Sequence, residues 1–254
     1  NLSPFLRSDY PAEAIVESTR AAVDAAKTLD VANFVHVSYA WLYGDTGDTL
    51  AEETAPLGDA QDPYFKAGKA AEAIVRGSGL RYCIVRAGYA YGVLSPAMRT
   101  VNAALRAGRP VHTGPGHNDA PWVYDEDLAN AIVLATLLHT PEAVYNVVDD
   151  EPATPRAFVD YLSTAQGMQP QGAVAALLKL FSRAQTSALL SLSTRVSNAR
   201  AKSVLGWEPR FKHYRAGIDE ILLLWRAEGI PQHEPEAVDE AEARMLPEGP
   251  DAQS

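Results

Sequence analysis

Hydroxyl and amino side chains stand close together in two segments of the chain. Ser38 and Tyr39 end an apolar, strand-like run, and Tyr64 and Lys69 lie in residues 63–72, which open a helix. The carboxyl ends of parallel strands place side chains at one edge of a sheet, where ligands bind. A tyrosine hydroxyl there acts as an acid or base when a nearby cation lowers its pKa from about 10, and a serine hydroxyl steadies the substrate oxygen. These residue types predict proton transfer on a small molecule.

Other catalytic chemistries find no support in the sequence. Cys83 is the single cysteine, and the six histidines show neither HExxH nor HxH spacing, so a zinc site is not expected. The GxSxG turn of serine hydrolases and the phosphate-binding P-loop are both absent from the sequence. Because one cysteine cannot form an intrachain disulfide, a reducing, cytoplasmic setting is the default expectation.

The chain is acidic, with 32 Asp and Glu against 22 Lys and Arg in 254 residues and a formal charge of −10. Surfaces that bind nucleic acid or anionic membranes need clustered Lys and Arg, so neither partner is expected. The sequence contains no run of about 18 apolar residues, which is the length that a membrane-spanning helix needs. Residues 228–254 hold eight acids against one base, and their Pro, Glu and Ala content is typical of a flexible tail.

Helix-like and strand-like segments alternate in the first half of the chain, which predicts an α/β fold with a parallel sheet and crossover helices. The predicted helices are residues 11–29, 67–76 (opened by residues 63–72) and 96–107, and the predicted strands are residues 33–38 and 81–86. The second half predicts strands at 110–113 and 143–148, helices at 127–138 and from Thr154 onward, and a mostly apolar helix at 173–192. The last helix packs on the core or covers it, or it lies at a membrane interface, for which two basic residues are weak support.

Six short segments follow one another along the chain. They are residues 33–44 (NFVHVSYAWLYG), 63–72 (PYFKAGKAAE), 84–92 (IVRAGYAYG), 122–129 (WVYDEDLA), 195–201 (RVSNARA) and 205–209 (LGWEP). Their order resembles the extended short-chain dehydrogenase/reductase family, of the sugar-nucleotide epimerase/dehydratase type and its atypical relatives. The resemblance implies a Rossmann-type parallel sheet, here without its first strands, and a smaller mixed subdomain. Residues 1–112 would be the remaining dinucleotide-binding part, and residues 113–227 mainly the substrate-binding part.

The resemblance also implies an NAD(P)-dependent oxidoreductase or epimerase/dehydratase acting on a nucleotide-sugar-like or other small carbonyl or hydroxyl substrate. Tyr64 matches the family's catalytic tyrosine, and Ser38 or Tyr39 would orient the substrate oxygen, with Lys69 assisting. The residues implied to bind the cofactor are Tyr64, Lys69, Arg86, Ala87, Gly88 and Tyr89, and those implied to bind substrate are Tyr89, Tyr124 and Arg195. A buried ion pair is the alternative for Arg86, and a solvated surface charge is the alternative for Arg195.

Two departures from the family pattern weigh against activity. The family places a lysine four residues after its tyrosine, but this position is Gly68, and Lys69 is displaced by one residue, which turns a helical side chain by about 100°. The family's GxxGxxG turn, which contacts the cofactor pyrophosphate, does not occur in the sequence. An N-terminal segment with the first strands and this turn is therefore expected outside the given chain, which alone should bind NAD(P) poorly.

Three hypotheses follow from these patterns. The first is the NAD(P)-dependent enzyme described above. The second is a non-catalytic dinucleotide sensor or partner-binding subunit, which Gly68 and Tyr39 favour. The third is a fragment or subunit that another chain completes. Where two copies associate, the helices that flank the sheet are the predicted homodimer surface.

Overall fold

The computed structural model of the protein describes residues 11–109, 111, 117–138, 143–170 and 192–228. The apolar helix expected at 173–192 and the acidic tail expected at 228–254 lie outside the described residues, apart from one residue of each. Most of the strand expected at 110–113 lies outside them as well. No described helix is long and apolar enough to cross a membrane.

The described residues form seven helices, five strands and one short 3₁₀ helix at Ala40–Tyr43. The helices are α1 (Ala12–Thr28), α2 (Pro63–Arg76), α3 (Pro96–Arg106), α4 (Asp125–Leu138), α5 (Pro155–Thr164), α6 (Ala199–Leu205) and α7 (Tyr214–Ala227). The strands are β1 (Phe34–Tyr39), β2 (Tyr82–Ala87), β3 (Tyr89–Tyr91), β4 (Trp122–Tyr124) and β5 (Ala143–Val147).

Strands β1, β2 and β5 form a parallel sheet in that order, which confirms the predicted α/β class. The register sets Tyr39 beside Ala87 and Ala87 beside Val147, so the carboxyl ends of all three strands lie at one edge. Central β2 is buried along its whole length, whereas Ser38 is the only buried residue of β1. The most enclosed point of β1 is therefore next to the edge where a ligand would bind.

Strands β3 and β4 form a second, two-stranded parallel sheet that the sequence did not predict. Three residues are too few to show a strand period. Gly88 joins β2 to β3 at a point where a Cβ atom would lie 2.7 Å from the carbonyl oxygen of Pro121, so a side chain there would force the backbone apart. The small sheet packs with α5 and α7 around an apolar core that contains Phe158, Ile218 and Trp225.

Helix α2 connects the candidate site to the sheet. The Asp62 carboxylate caps its first turn by accepting hydrogen bonds from the backbone N–H groups of Tyr64 and Phe65, at 2.8 and 3.3 Å. Pro63 occupies the first helical position, which suits its fixed φ and missing N–H. One face of α2 packs on α1 through small apolar residues, and Glu72 is buried beneath the helix. The cap thus holds the start of α2 beside the carboxyl edge of the sheet.

Candidate functional site

Three tyrosines surround a buried apolar cluster at the carboxyl edge of the main sheet. Tyr39 ends β1, Tyr64 lies in the first turn of α2, and Tyr89 begins β3. All three side chains are partly exposed and pack against one cluster. The buried members of that cluster are Trp41, Leu42 and Phe65. We call Tyr39, Tyr64 and Tyr89, together with Lys69 further along α2, the tyrosine rim.

The position that holds a lysine in the family is closed by neighbouring side chains. A Cβ atom on Gly68 would lie 3.1 Å from Cδ2 of Leu42 and 3.4 Å from Cδ2 of Tyr39. The first distance is tighter than ordinary carbon contacts, so Leu42 would have to move to admit any side chain. The glycine at position 68 has two consequences. It removes the family's ammonium group, and it leaves space that Leu42 and the ring of Tyr39 occupy.

Lys69 ties α2 to the loop that precedes it. Its Nζ donates a hydrogen bond of 2.8 Å to the carbonyl oxygen of Gly58 and lies 3.9 Å from a carboxylate oxygen of Asp59. The Lys69 side chain is 36% exposed, so its charge stays close to solvent. The ammonium group predicted to assist catalysis thus stabilises the loop that borders the tyrosine rim.

Arg86, predicted to bind the cofactor, lies in a buried ion pair. Its Nε and Nη2 atoms donate to the two carboxylate oxygens of Glu72 at 2.9 and 2.8 Å, and both side chains are at most 3% exposed. The hydroxyl of Ser38 donates to the same carboxylate at 2.7 Å. Burial alone would raise the pKa of Glu72, but the hydrogen bonds and charge of Arg86, helped by Ser38, hold it below its ordinary value. This is the geometry of the ion-pair alternative for Arg86.

Tyr43 and Asn146 extend this pair across the sheet. The hydroxyl of Tyr43 accepts a hydrogen bond from Nη1 of Arg86 at 2.7 Å and donates one to Oδ1 of Asn146 at 2.8 Å. The Asn146 amide then donates to the carbonyl oxygens of Ala51 and Ser197. We call Ser38, Tyr43, Glu72, Arg86 and Asn146 the buried network. It joins α2, all three strands and two loops, and Tyr43 and Asn146 carried no sequence signal that would have placed them in it.

Three further predicted residues lie inside the fold. Ala87 and Gly88 are buried where β2 ends. Tyr124, predicted to bind substrate, is 1% exposed and packs between the rings of Tyr91 and Phe211, with centroids 5.5 and 4.5 Å away. Its hydroxyl is buried without a hydrogen-bond partner. The structure thus places Tyr124 in the apolar core with β3 and α7, and away from the tyrosine rim.

Arg195, predicted to face a substrate phosphate, lies between two carboxylates. Its guanidinium nitrogens are 3.5 Å from Asp48 and 3.5 Å from Asp119, and its side chain is about one-third exposed. Its backbone N–H donates to the hydroxyl of Thr46 at 2.8 Å. The residue therefore helps to hold the loop after β1 against the segment that precedes α6.

A second buried acidic group was not found by sequence reasoning. Asp149 follows β5 and is 4% exposed, and one of its carboxylate oxygens accepts a hydrogen bond of 2.8 Å from the hydroxyl of Tyr91. Its other carboxylate oxygen is buried without a partner. Burial raises the pKa of Asp149 to about 7, although the hydrogen bond from Tyr91 opposes this. Among the described residues, no cation comparable to Arg86 compensates for the buried carboxylate.

Comparison with protein-family models matches residues 5–148 to the NAD dependent epimerase/dehydratase family. A curated relative from a Streptomyces species, described as 3-diazoavenalumate denitrifying reductase, is 29% identical over 230 residues, which is 84% of this chain and 75% of the relative. Within the described residues, no group of three or more His, Cys, Asp or Glu side chains could hold a metal ion.

Solved structures of this family type have the same fold. The dTDP-glucose 4,6-dehydratase of Streptomyces venezuelae, solved with NAD, has a TM-score of 0.69 and 19% identity over 85% of this chain. A human epimerase family protein solved with NADPH has a TM-score of 0.72 and 24% identity over 87% of this chain. The chain spans 66% of the dehydratase and 78% of the human protein. Because the family model matches more than half of its residues, the chain belongs to the NAD-dependent epimerase/dehydratase family.

Proposed function

We propose that the protein is an NAD(P)-dependent reductase that transfers hydride to a small substrate bound at the tyrosine rim. The observation that carries this proposal is the position of Tyr64, whose capped first turn holds its side chain beside the carboxyl edge of a parallel sheet. Membership of the NAD-dependent epimerase/dehydratase family supports it, as does the similarity to a relative described as a reductase.

The donor set of the rim suits the nicotinamide-ribose end of a dinucleotide. Phenol hydroxyls and an ammonium group border the carboxyl edge, where Tyr64 and Lys69 would hold the ribose. When bound, the nicotinamide supplies the hydride. The GxxGxxG turn that would contact the pyrophosphate is not among the 254 residues. We therefore propose that tight cofactor binding depends on a segment that supplies this turn.

The residues of the rim define the proton chemistry that we propose. Tyr64 would hold or deliver a proton at its hydroxyl, and Tyr39 would orient the group that accepts the hydride. Because the residue one turn after Tyr64 is Gly68, no ammonium group at that position assists proton transfer from the phenol. A substrate that accepts hydride without a strong general acid, such as an activated carbonyl compound, suits this arrangement better than a sugar dehydration that requires strong acid–base catalysis.

The cofactor test is a fluorescence titration of the full-length protein with NADH and with NADPH. We expect one of the two to bind at or below millimolar concentration, and binding of neither would contradict the proposal. Once a substrate is known, Tyr64→Phe is expected to lower kcat by about 100-fold, whereas Tyr161→Phe on α5, distant from the rim, should leave it unchanged. An unchanged kcat in Tyr64→Phe would remove the proton role.

A non-catalytic dinucleotide sensor or partner-binding subunit is the second candidate, and Gly68 is the observation that favours it. This candidate requires cofactor binding without turnover. It gains support if the full-length protein binds NADPH but consumes none with any carbonyl substrate of a broad panel. Detectable consumption that Tyr64→Phe abolishes would exclude it.

We also propose that a second copy of the chain docks on α4, a helix that flanks the main sheet. Val133, Leu137 and Leu138 of α4 are 53%, 67% and 48% exposed, so the helix is apolar on its outer face as well. Light scattering coupled to size exclusion should give a dimer that Leu137→Glu dissociates. The matched variant Leu223→Glu, on the exposed face of α7, should not dissociate it, and a monomeric wild-type protein would contradict the proposal.

A further inference from the structure

We infer that the substrate of the tyrosine rim is a planar aromatic molecule without a phosphate group. The inference rests on the proposed function, because it names the substrate class of the same site. Three features of the described residues carry it. Aromatic side chains lie at the carboxyl edge of the sheet, the ring of Tyr39 packs beside Gly68 where the family has a lysine, and the cations predicted at the site contact protein oxygens.

Aromatic side chains form the wall around the rim. The ring of Tyr39 stacks on Trp41 with centroids 4.7 Å apart and an interplanar angle of 23°. Trp41 continues to Phe65 at 5.8 Å, and Tyr89 packs on Trp122 at 5.6 Å. These stacks hold the rings of Tyr39 and Tyr89 in fixed orientations, so little side-chain entropy remains to be lost when a ligand ring packs on them.

Gly68 and Tyr39 form a matched pair of small and large residues. A Cβ atom on Gly68 would contact Tyr39 at 3.4 Å and press on Leu42 at 3.1 Å. A side chain at position 68 would therefore require Leu42 to shift by a few tenths of an ångström from its present packing against α2. The resulting surface is aromatic and uncharged at the point where an ammonium group would otherwise lie, which favours a ligand ring over a polyhydroxylated sugar.

The three cations that the sequence predicted at the ligand site are engaged by protein oxygens. Arg86 is paired with Glu72 inside the fold, Arg195 lies between two carboxylates, and Lys69 donates to a backbone carbonyl. The exposed carboxylate of Asp59 lies near Lys69. Burial raises the pKa of Tyr89, and the negative charge of the Asp62 carboxylate raises it further. A diphosphate would be repelled by the carboxylates of Asp59 and Asp62, whereas a neutral ring would not be repelled.

The test measures equilibrium binding of two probes to the full-length protein by calorimetry, with and without saturating NADPH. The probes are 4-hydroxyacetophenone, a neutral planar ketone, and dTDP-glucose. We expect the ketone to bind at least tenfold more tightly than dTDP-glucose. Equal or tighter binding of dTDP-glucose, or no detectable binding of the ketone, would overturn the inference.

Two variants locate the ketone on the rim. Tyr39→Leu removes a stacking surface and should weaken ketone binding about tenfold, whereas Tyr161→Leu on α5 should not change it. Gly68→Lys should weaken ketone binding and strengthen dTDP-glucose binding.

Circular dichroism shows that each variant is folded, and if Tyr39→Leu does not fold, Gly68→Lys alone decides. Unchanged probe preference in a folded Gly68→Lys variant would contradict the inference. Ketone binding without binding of either NADH or NADPH would overturn the proposed reductase and leave the aromatic site standing.

Discussion

The buried network and the tyrosine rim both include residues of α2, but the polar groups of the network are buried and paired whereas those of the rim are partly exposed. In the network, Glu72 and Arg86 are fully enclosed and each meets a partner of matching geometry at 2.8–2.9 Å. In the rim, Tyr39 and Tyr64 have partly exposed side chains that pack on an apolar cluster. Residues that look equally suited to chemistry in the sequence therefore differ in availability, because burial and pairing decide which groups a ligand can reach.

Breaking the buried ion pair should have the largest effect on stability. Glu72→Ala leaves the Arg86 guanidinium buried without its carboxylate, which should cost about 3–5 kcal/mol of unfolding free energy. The double variant Glu72→Leu/Arg86→Met should recover most of this loss, because no uncompensated charge remains. Urea denaturation measures both variants. The exposed pair of Arg156 and Asp160 is the control, since Arg156→Ala should cost less than about 1 kcal/mol. A loss of that small size in Glu72→Ala would contradict the account.

Asp149 is buried, as Glu72 is, but it has no ion-pair partner among the described residues. Its pH dependence therefore tests whether pairing, as well as burial, determines the state of a buried carboxylate. Its pKa is raised to about 7 in the fold from an ordinary 3.8. Its contribution to stability is therefore complete below the ordinary value and is lost as the pH rises through about 7, by up to about 4 kcal/mol. Denaturation of the wild type and of Asp149→Asn from pH 4 to pH 8 should show the stability of the wild type falling relative to the variant.

The neighbouring Asp150 gives a control with the opposite sign. Burial would raise its pKa, but the hydrogen bonds of Lys202 and Asn198 and the charge of Lys202 lower it. Its stabilising contribution is therefore present above its ordinary pKa and is lost as the pH falls through the lowered value. A wild-type protein whose stability relative to Asp149→Asn does not change between pH 4 and pH 8 would contradict the assignment of Asp149.

Lys69 sharpens the comparison from the side of the rim. Lys69→Met removes the ammonium group and its hydrogen bond to the carbonyl of Gly58, a partly exposed residue, so we expect a stability loss of about 1 kcal/mol. Thermal unfolding compared with Lys66→Met, an exposed neighbour on α2, measures the difference. A loss as large as that of Glu72→Ala would show that the rim is as structural as the network.

The smallest expected effect is at Tyr124. Its hydroxyl is buried without a hydrogen-bond partner, so Tyr124→Phe removes an uncompensated polar group. We expect the free energy of unfolding to rise by less than about 1 kcal/mol. Urea denaturation beside Tyr91→Phe, which loses the bond to Asp149, gives the comparison. A loss larger in Tyr124→Phe than in Tyr91→Phe would mean that the Tyr124 hydroxyl has a partner in solution.

Local patterns predicted the main elements of this fold. The apolar strand runs and the amphipathic helices of the first half matched β1, β2, α1, α2 and α3 within a few residues, because each buries one side or both sides against the sheet. Strands β3 and β4 were missed because three residues show no period, and helices α6 and α7 were not predicted. Three of these four elements, β4, α6 and α7, lie in the second half of the described residues or close to it, where tertiary contacts outweigh local preference.

The candidate site was only partly predictable. Tyr39 was predicted from its place at the end of a strand, and Tyr64 from its match to the family's catalytic tyrosine. The pairing of Arg86 with Glu72 depends on the rotation of α2 over the sheet, and the link from Tyr43 to Asn146 spans 103 residues of chain. The match of Gly68 with Tyr39 is a contact between two elements. Such relationships arise from tertiary packing and leave no mark in spacing.

Hydrogen–deuterium exchange of the full-length protein with and without NADPH tests most directly whether the tyrosine rim is the ligand site. Ligand binding suppresses local opening, so protection maps the contacts. The account predicts slower exchange in residues 39–44, 58–69 and 88–91, with little change in the exposed outer turns of α4 and α5. Protection confined to segments away from the rim, or no protection at saturating NADPH, would contradict it.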